Sequence, residues 1–169
     1  MNLILCGMMG SGKTTVSIKI AEITGMCLCD TDSVIMRKYG KISDIFEKYG
    51  EPYFRSLETE TVKELSGKDG LVISTGGGLV LKEENVKLLK TSGKIIFLRA
   101  KIDTLIQRLS ADKERPLLHN STESLQDRLE RLLKERAPIY ERVADCIVDV
   151  DGKEPEKIAQ EIVCLTTNK

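Results

Sequence analysis

The sequence contains no tryptophan, only one histidine and four prolines among its 169 residues, and no excess of either charge. Lysine plus arginine equal aspartate plus glutamate at 26 each, so no global field exists to attract nucleic acid or an anionic membrane surface. No apolar run approaches the ~18 residues of a membrane span, and the first residues lack a signal-peptide pattern. These absences predict a cytoplasmic protein that binds anions, if at all, through local clusters.

The five cysteines form neither a disulfide framework nor a zinc pattern. Their number is odd, and Cys27 and Cys29 form a C-x-C pair with no second pair and no histidine nearby. We therefore expect the cysteines to be small, buried, apolar side chains within strands.

Short apolar runs alternate with helical patterns along the whole chain. The runs are continuous, as expected of parallel strands covered on both faces. Residues 43–65 are helical but interrupted by Gly50 and Pro52. The alternation predicts one α/β domain over residues 1–169, with a parallel sheet flanked by helices. The strand candidates are residues 3–6, 26–29, 71–74, 95–98 and 146–150.

Residues 110–121 fit neither period. This polar segment contains Arg115 and Pro116 and joins two strongly periodic helices. A connection of this length is either a functional lid or a plain surface loop, and the pattern alone leaves both open. For His119, within it, a solvated loop position is favoured over a catalytic one.

Residues 7–14 match the phosphate-binding motif G-x-x-x-x-G-K-[ST] between a strand and a helical pattern. Glycines there allow backbone N–H groups to point at phosphate oxygens, and the helix N-terminus adds partial positive charge. Lys13 is expected to reach the β- and γ-phosphates and the Thr14 hydroxyl to ligate Mg²⁺. The nucleotide-binding set is Gly10, Ser11, Gly12, Lys13, Thr14 and Thr15.

Two carboxylates, Asp30 and Asp32, follow the second strand candidate. As alternate residues of an extended segment they would face one cleft, outside the carboxyl ends of the strands, where ligands bind in such sheets. The alternative is that one or both cap a helix.

Two further segments contribute candidate ligand-binding residues, one with charged residues and one with glycines. Arg55 and Glu58 lie on an inward helical face, which favours an arginine oriented toward a ligand over a surface ion pair. Gly76, Gly77 and Gly78 end the third strand candidate, where they either admit a ligand close to the backbone or form a flexible joint.

Arg136 continues the apolar register of a later helix, which Pro138 is expected to end or kink. A guanidinium on an inward stripe needs an anion. That anion is either a ligand or a structural partner such as Asp145.

Taken in order, these residues resemble the shikimate kinase family over nearly the full chain. The phosphate-binding loop has Met9 where the family has methionine. The other matching segments are Asp30-Thr31-Asp32, Phe54-Arg55 with Glu58, Gly76-Gly77-Gly78, Arg115-Pro116-Leu117-Leu118 and Arg136-Ala137-Pro138-Ile139-Tyr140.

The resemblance implies a fold and a reaction. The fold is that of the P-loop nucleoside-monophosphate kinases, a five-stranded parallel sheet of order 2-3-1-4-5 with flanking helices and a mobile lid over about 110–121. The substrate-binding helices span about 32–66. The reaction is Mg²⁺-dependent transfer of phosphate from ATP to the 3-hydroxyl of shikimate, in aromatic amino-acid biosynthesis, and we expect a monomer.

The resemblance also assigns roles in substrate binding. Asp32 would hold ring hydroxyls of shikimate and orient the hydroxyl that accepts the phosphate. It is also the candidate to take the proton from that hydroxyl. Arg55 and Arg136 would bind the carboxylate, and Gly76 to Gly78 the other polar edge. Phe46 and Phe54 would line the pocket.

On the nucleotide side, Asp30 would lie near Mg²⁺, partly through water, and Arg115 would move with the lid onto ATP. Lys13, Asp32 and Arg115 form the catalytic set. Lys153 stands near the family's adenine-packing arginine, and lysine stacks less well. The family also tends to have glutamate at Arg142, a change that nothing in the sequence explains.

Two other functions share the phosphate-binding loop. One is a different small-molecule kinase, for gluconate or a nucleotide. The other is a nucleotide switch or ATP-dependent binding module, which would not need the constellation of Arg55, Arg136 and the glycine run.

Overall fold

Five parallel strands form a single sheet in the computed structural model, which describes residues 1–111 and 123–167. The spatial order is β2-β3-β1-β4-β5, so the five strand candidates and the order implied by the resemblance are confirmed. The strands are β1 (Asn2–Cys6), β2 (Cys27–Asp30), β3 (Leu71–Ser74), β4 (Gly93–Arg99) and β5 (Cys146–Asp149).

Helices connect successive strands, as the alternating pattern predicted. Among the described residues, none of them has both the length and the apolar character needed to cross a bilayer. The helices are α1 (Lys13–Thr24), α2 (Thr31–Tyr39), α3 (Ile42–Ser66), α4 (Glu83–Ser92), α5 (Ile102–Ala111), α6 (Leu125–Val143) and α7 (Pro155–Thr167), with a short 3-10 turn at Leu79–Leu81.

The core lies on both faces of the three central strands, β3, β1 and β4, whose apolar side chains are buried. The edge strands differ from the prediction that every strand is covered on both faces. Leu28 of β2 is 43% exposed and Ile147 of β5 is 40% exposed. Each edge strand has only one neighbouring strand, so part of its surface stays open to solvent.

The same geometry corrects the prediction for the cysteines. Cys6, on the central strand, is buried, and burial raises the pKa of its thiol to about 12. Cys27 is exposed and Cys29 and Cys146 are half-buried on edge strands, while Cys164 is exposed on α7. Apolar character placed these residues in regular elements but did not distinguish a central strand from an edge.

Two interruptions of helices were predicted, and one is observed. Gly50, with φ 78° and ψ 172°, breaks α3 into two segments just before Pro52. In α6, by contrast, Pro138 does not end the helix, since α6 continues to Val143. Pro138 lies on the exposed side, as does Lys134, whose carbonyl loses its helical partner and can be hydrated.

The strand order brings three loops together at the carboxyl edge of the sheet. β1 pairs with β3 on one side and β4 on the other, and β3 pairs with β2. The loops after β1, β2 and β3 therefore meet in one crevice, and these loops carry the phosphate-binding motif, the aspartates and the glycine run.

A substitution at Gly93 tests how closely β4 approaches β1. A Cβ at this position would overlap the backbone carbonyl of Asn2 on β1. We expect Gly93→Ala to lower the free energy of unfolding by about 1–3 kcal/mol, measured by denaturant titration. Gly67→Ala is the control, because Gly67 has φ −82° and its nearest neighbour would lie 3.8 Å away. Equal effects of the two changes would contradict the close approach.

Candidate active site

The loop between β1 and α1 is shaped by glycines in conformations that other residues rarely adopt. Gly7, Gly10 and Gly12 have φ of 141°, 80° and 91°. A Cβ on Gly7 would also lie 2.7 Å from the carbonyl oxygen of Leu98. No side chain caps α1, so its first N–H groups remain available to an anion.

Lys13 lies across this loop. Its Nζ donates to the carbonyl oxygens of Gly7 and Met8, each at 2.9 Å, which holds the ammonium over the loop. The Ser11 hydroxyl is buried and has no hydrogen-bond partner among the described residues. An orphaned polar atom of this kind is expected where a loop is shaped for a polar ligand.

Arg108 of α5 braces the loop from outside, and the sequence did not single it out. Its Nη1 donates to the carbonyl oxygens of Gly10 at 3.3 Å and Ser11 at 3.1 Å. Its position depends on how α5 packs against the loop, and no local pattern marks it as functional.

Three oxygen-bearing side chains meet beside the start of α1. Thr14 Oγ1 donates to Asp30 Oδ2 at 3.3 Å and lies 3.5 Å from Ser74 Oγ. Hydroxyl and carboxylate oxygens are hard ligands that suit Mg²⁺, which usually takes one or two protein ligands together with phosphate. Thr15 is exposed on the same turn.

The prediction that Asp30 and Asp32 share one extended segment is wrong, because Asp30 is the last, extended residue of β2 and the helix begins directly after it. Asp30 caps α2 by accepting from the Ser33 N–H at 3.0 Å, and Asp32 lies in the first turn of that helix. The Asp30 carboxylate satisfies an N–H group at the start of α2 that has no partner within the helix. This cap explains why the helix begins directly after β2. Asp32 nevertheless faces β3, since its Oδ1 lies 2.8 Å from where a Gly76 Cβ would be.

Three charged side chains lie against the glycine run, and two of them, Asp32 and Arg55, take up space that a Cβ would fill. Next to Gly76 lies Asp32. A Cβ on Gly77 would lie 3.6 Å from Arg136 Nη1, and one on Gly78 would lie 2.6 Å from Arg55 Nη2. The structure thus brings together Asp32, Arg55 and Arg136, which come from α2, α3 and α6, around one short backbone segment. A flexible joint would not require this fit.

Arg55 is held by two carboxylates of its own helix. Its Nη1 donates to Glu58 Oε2 and its Nη2 to Glu51 Oε1, both at 2.8 Å. Glu58 is only 1% exposed, so the pair is not a surface ion pair. Burial raises the pKa of the Glu58 carboxyl, and the Arg55 guanidinium opposes this without cancelling it.

Glu58 also carries an unpaired buried oxygen. Its Oε1 has no hydrogen-bond partner among the described residues and lies 3.2 Å from where a Gly76 Cβ would be. Asp32 adds to the rise in the Glu58 pKa. Glu58 is therefore a second carboxyl group beside the crevice, and its F-R-x-x-E spacing was the sequence signal for it.

Arg136 lies beside a buried tyrosine. Burial raises the pKa of Tyr140 to about 12, although Arg136 acts in the opposite direction, and the Tyr140 hydroxyl donates to the Gly77 carbonyl at 2.6 Å. The alternative partner, Asp145, instead accepts from the Ile95 N–H at 2.8 Å and lies 3.9 Å from Lys90. Within the described residues, no ion pair joins Asp145 to Arg136.

Two aromatic rings lie next to this cluster on α3. The Phe46 and Phe54 centroids are 4.8 Å apart, and the Arg55 guanidinium lies 5.5 Å from the Phe54 ring. Phe54 is buried, whereas Phe46 is 37% exposed, so the pair forms a partly open apolar wall.

Lys153 and Arg115 are the remaining predicted site residues. Lys153 follows β5, and its Nζ pairs with Glu161 of α7 at 2.6 Å. Arg115, His119 and most of the segment 110–121 lie outside the described residues.

Comparisons with known proteins agree on one family. A family model described as shikimate kinase matches residues 9–166. A shikimate kinase of Thermodesulfovibrio yellowstonii is 42% identical over 163 residues, covering 96% of this chain and 92% of that protein. One of Caldanaerobacter subterraneus is 41% identical over 163 residues, covering 96% of this chain and 94% of the other.

Solved structures are similar over the same length. The shikimate kinase from Acinetobacter baumannii in complex with shikimate has a TM-score of 0.90 at 39% identity, with 97% of this chain and 91% of that chain covered. The shikimate kinase from Aquifex aeolicus has a TM-score of 0.82 at 38% identity, with 97% and 95% covered.

The raised pKa of Glu58 makes a prediction about stability. The folded protein holds this proton more tightly, so its contribution to stability is greatest below the unfolded pKa, near 4.5, and is lost as pH rises through the folded pKa. The free energy of unfolding of the parent minus that of Glu58→Gln should therefore fall as pH rises above about 4.5 and then level off. Urea titrations across this range measure the difference.

Glu47→Gln is the matched control, since Glu47 is exposed on the same helix. Its difference from the parent should stay small at every pH. If the stability of the parent relative to the Glu58→Gln variant instead grows with pH, the Arg55 contact dominates burial.

Proposed function

The chain belongs to the shikimate kinase family, and from that membership we propose how its residues transfer the γ-phosphate of Mg-ATP to the 3-hydroxyl of shikimate. This is a reaction of aromatic amino-acid biosynthesis. The observation that carries the assignment of the site is the fit of Asp32, Arg55 and Arg136 against the glycine run. Two cations and one carboxylate at a single backbone segment match a substrate with one carboxylate and several hydroxyls.

The two arginines supply the carboxylate site. Arg55 is held by Glu51 and Glu58, which orients its guanidinium before substrate arrives. Arg136 approaches from α6 on the other side of Gly77. A planar guanidinium matches a carboxylate with two parallel hydrogen bonds, and pre-ordered donors lose less entropy on binding.

Asp32 serves the hydroxyl side of the substrate. It lies in the first turn of α2, close to Gly76 and on the same edge of the sheet as the phosphate-binding loop. There it orients the acceptor hydroxyl and is placed to accept its proton as the oxygen attacks phosphorus. Phe46 and Phe54 form the apolar wall that favours a compact ring over an open chain.

The nucleotide phosphates belong in the loop of residues 7–14. Lys13 exchanges its bonds to the Gly7 and Met8 carbonyls for bonds to phosphate oxygens, and the N–H groups of the loop and of α1 contribute the remaining donors. Gly10, Ser11, Gly12 and Thr15 belong to this set. The orphaned Ser11 hydroxyl and the uncapped helix start fit such a ligand.

The oxygens of Thr14 and Asp30 fit Mg²⁺, and these two residues would hold the ion. When bound, the ion neutralises phosphate charge and orients the transferring group. Arg115, outside the described residues, is assigned the same charge-neutralising role from the lid, and Lys153 a place beside the nucleotide base. We further propose a cytoplasmic, monomeric enzyme.

Other kinases and a nucleotide switch are disfavoured by the same cluster. An open-chain sugar acid would not use the aromatic wall, and a nucleotide acceptor would need a base-binding slot. A switch would have no use for two arginines at the glycine run. ADP release measured with shikimate, gluconate, AMP and no acceptor separates these functions, and release that does not depend on shikimate would overturn the proposal.

Lys13→Ala tests the phosphate site. Loss of a preorganised charge at the transferring phosphate should lower kcat by at least about 100- to 1000-fold. The fold should be retained, as checked by circular dichroism. Lys19→Ala is the control, because Lys19 lies on the same helix but pairs with Glu22 and Glu156 at the surface. A folded Lys13 variant with near-normal turnover would exclude this role.

Arg136→Ala tests the identity of the substrate. Charge-assisted hydrogen bonds contribute about 1.5–3 kcal/mol, so the KM for shikimate should rise roughly 10- to 150-fold at 1.4 kcal/mol per decade. The KM for ATP should change far less. Arg55→Ala should behave similarly, whereas Lys134→Ala, exposed on α6, should have little effect.

A carboxamide analogue of shikimate separates direct contact from a structural role of Arg136. The analogue should bind the parent poorly, yet lose little more when Arg136 is removed, because one interaction cannot be lost twice. Fully additive losses would mean that Arg136 acts only through the packing of α6.

A further inference from the structure

A groove of about 500 Å³ lies between α6, the 3-10 turn and α4, and shares no lining residue with the candidate active site. One wall is the 3-10 turn with α4, and the other is the C-terminal half of α6. Its floor is apolar, formed by Val80, Val86, Ile139 and Val143, three of which are almost fully buried. The volume lies within the range of small-molecule sites.

The rim of the groove is cationic. Lys87, Lys90 and Arg142 line it, against the single carboxylate of Glu83. Glu83 pairs with Lys87 at 3.1 Å, but both side chains are more than 70% exposed, so the pair is weak. Lys90 lies only loosely beside Asp145, at 3.9 Å.

Arg142 is exposed on α6. Across the two described ranges of the chain, no hydrogen bond or ion pair engages its guanidinium. A guanidinium over an apolar floor, with two ammonium groups nearby, is complementary to a carboxylate attached to an apolar body. A bare phosphate would leave the floor unused, and an uncharged apolar molecule would leave the rim unused.

Both walls of the groove continue into the elements around the glycine run. The 3-10 turn begins at Leu79, directly after Gly78. On α6, Ile139 precedes Tyr140, whose hydroxyl donates to the Gly77 carbonyl, and Arg136 lies one turn earlier. A ligand that separates or draws together these walls would shift Gly78 and Arg136 relative to each other.

We propose that this groove binds a small carboxylate with an apolar body, and that its occupancy changes the affinity of the protein for shikimate. The second half of this inference rests on the proposed function, whereas the first half does not. Coupling between such sites is reciprocal, so shikimate must change the affinity for the groove ligand by the same factor.

The binding half is tested with 3-phenylpropionate, titrated into the full ¹⁵N-labelled chain with and without saturating shikimate. Shikimate keeps the probe out of the arginine site. Saturable shifts are expected at the amides of Lys87, Ile139 and Arg142. Two further probes separate charge from apolar contact: 3-phenylpropanamide lacks the carboxylate and inorganic phosphate lacks the apolar body. Each should bind about 10-fold more weakly or worse, as expected when a charge-assisted contact or its apolar counterpart is lost.

Charge reversal identifies the residue responsible. Arg142→Glu should raise the Kd for 3-phenylpropionate at least about 10-fold. Lys157→Glu makes the same change in net charge on the exposed face of α7 and should change it less than about 2-fold. Absence of saturable shifts in the groove, equal binding of the phosphate or amide probe, or equal effects of the two variants would each overturn the site.

The coupling half is tested by the Kd for shikimate with and without the probe. A change of about 5-fold or more is expected, equal to the change that shikimate causes in the probe Kd, and absent in Arg142→Glu. An effect that persists in that variant would be competition at the arginine site and would overturn the coupling, as would no effect at all. Failure of shikimate to bind without any probe would instead count against the proposed function.

Discussion

The close packing of charged side chains against Gly76, Gly77 and Gly78 is the constraint on which the site depends. Asp32, Arg55 and Arg136 belong to three different helices, and Asp32 and Arg55 occupy space that a Cβ on Gly76 or Gly78 would need, while Arg136 is in ordinary contact with Gly77. An alanine at Gly76 or Gly78 would displace the side chain beside it. The glycines therefore act less as flexible joints than as a rigid surface of backbone against which three ionic groups are aligned.

Burial gives this alignment an energetic cost. Glu58 is nearly inaccessible to water, keeps one oxygen unpaired and has a raised pKa, yet it holds the Arg55 guanidinium in place. Replacement by apolar residues would relieve the desolvation cost. The pair thus fixes the orientation of the Arg55 guanidinium at a cost in desolvation.

Much of the fold, and the positions at which the candidate site residues come together, could be predicted from the sequence because they have local signatures. The continuous apolar runs located all five strands, and the fixed spacing of the phosphate-binding motif located its loop. Predictions failed where a neighbour decides the outcome. Asp30 caps a helix that begins one residue later, and Pro138 is tolerated because its lost hydrogen bond faces water.

Exposure of the edge strands and the role of Arg108 were equally beyond a local pattern. Cys27 and Cys6 are the same residue type in similar apolar runs, but only the strand order decides which is covered. Arg108 contacts the carbonyls of Gly10 and Ser11 across nearly 100 residues of sequence. Such contacts depend on how elements pack, and a single sequence does not encode them in spacing.

The strand order also has a consequence for the synthesis of the chain. β1 emerges first from the ribosome, but its two partners, β3 and β4, begin at residues 71 and 93. At 5–20 residues per second, the most apolar strand waits roughly 4–18 s for both neighbours. During that time its two hydrogen-bonding edges have no native partner strand, so the centre of the sheet cannot close until β4 has been made.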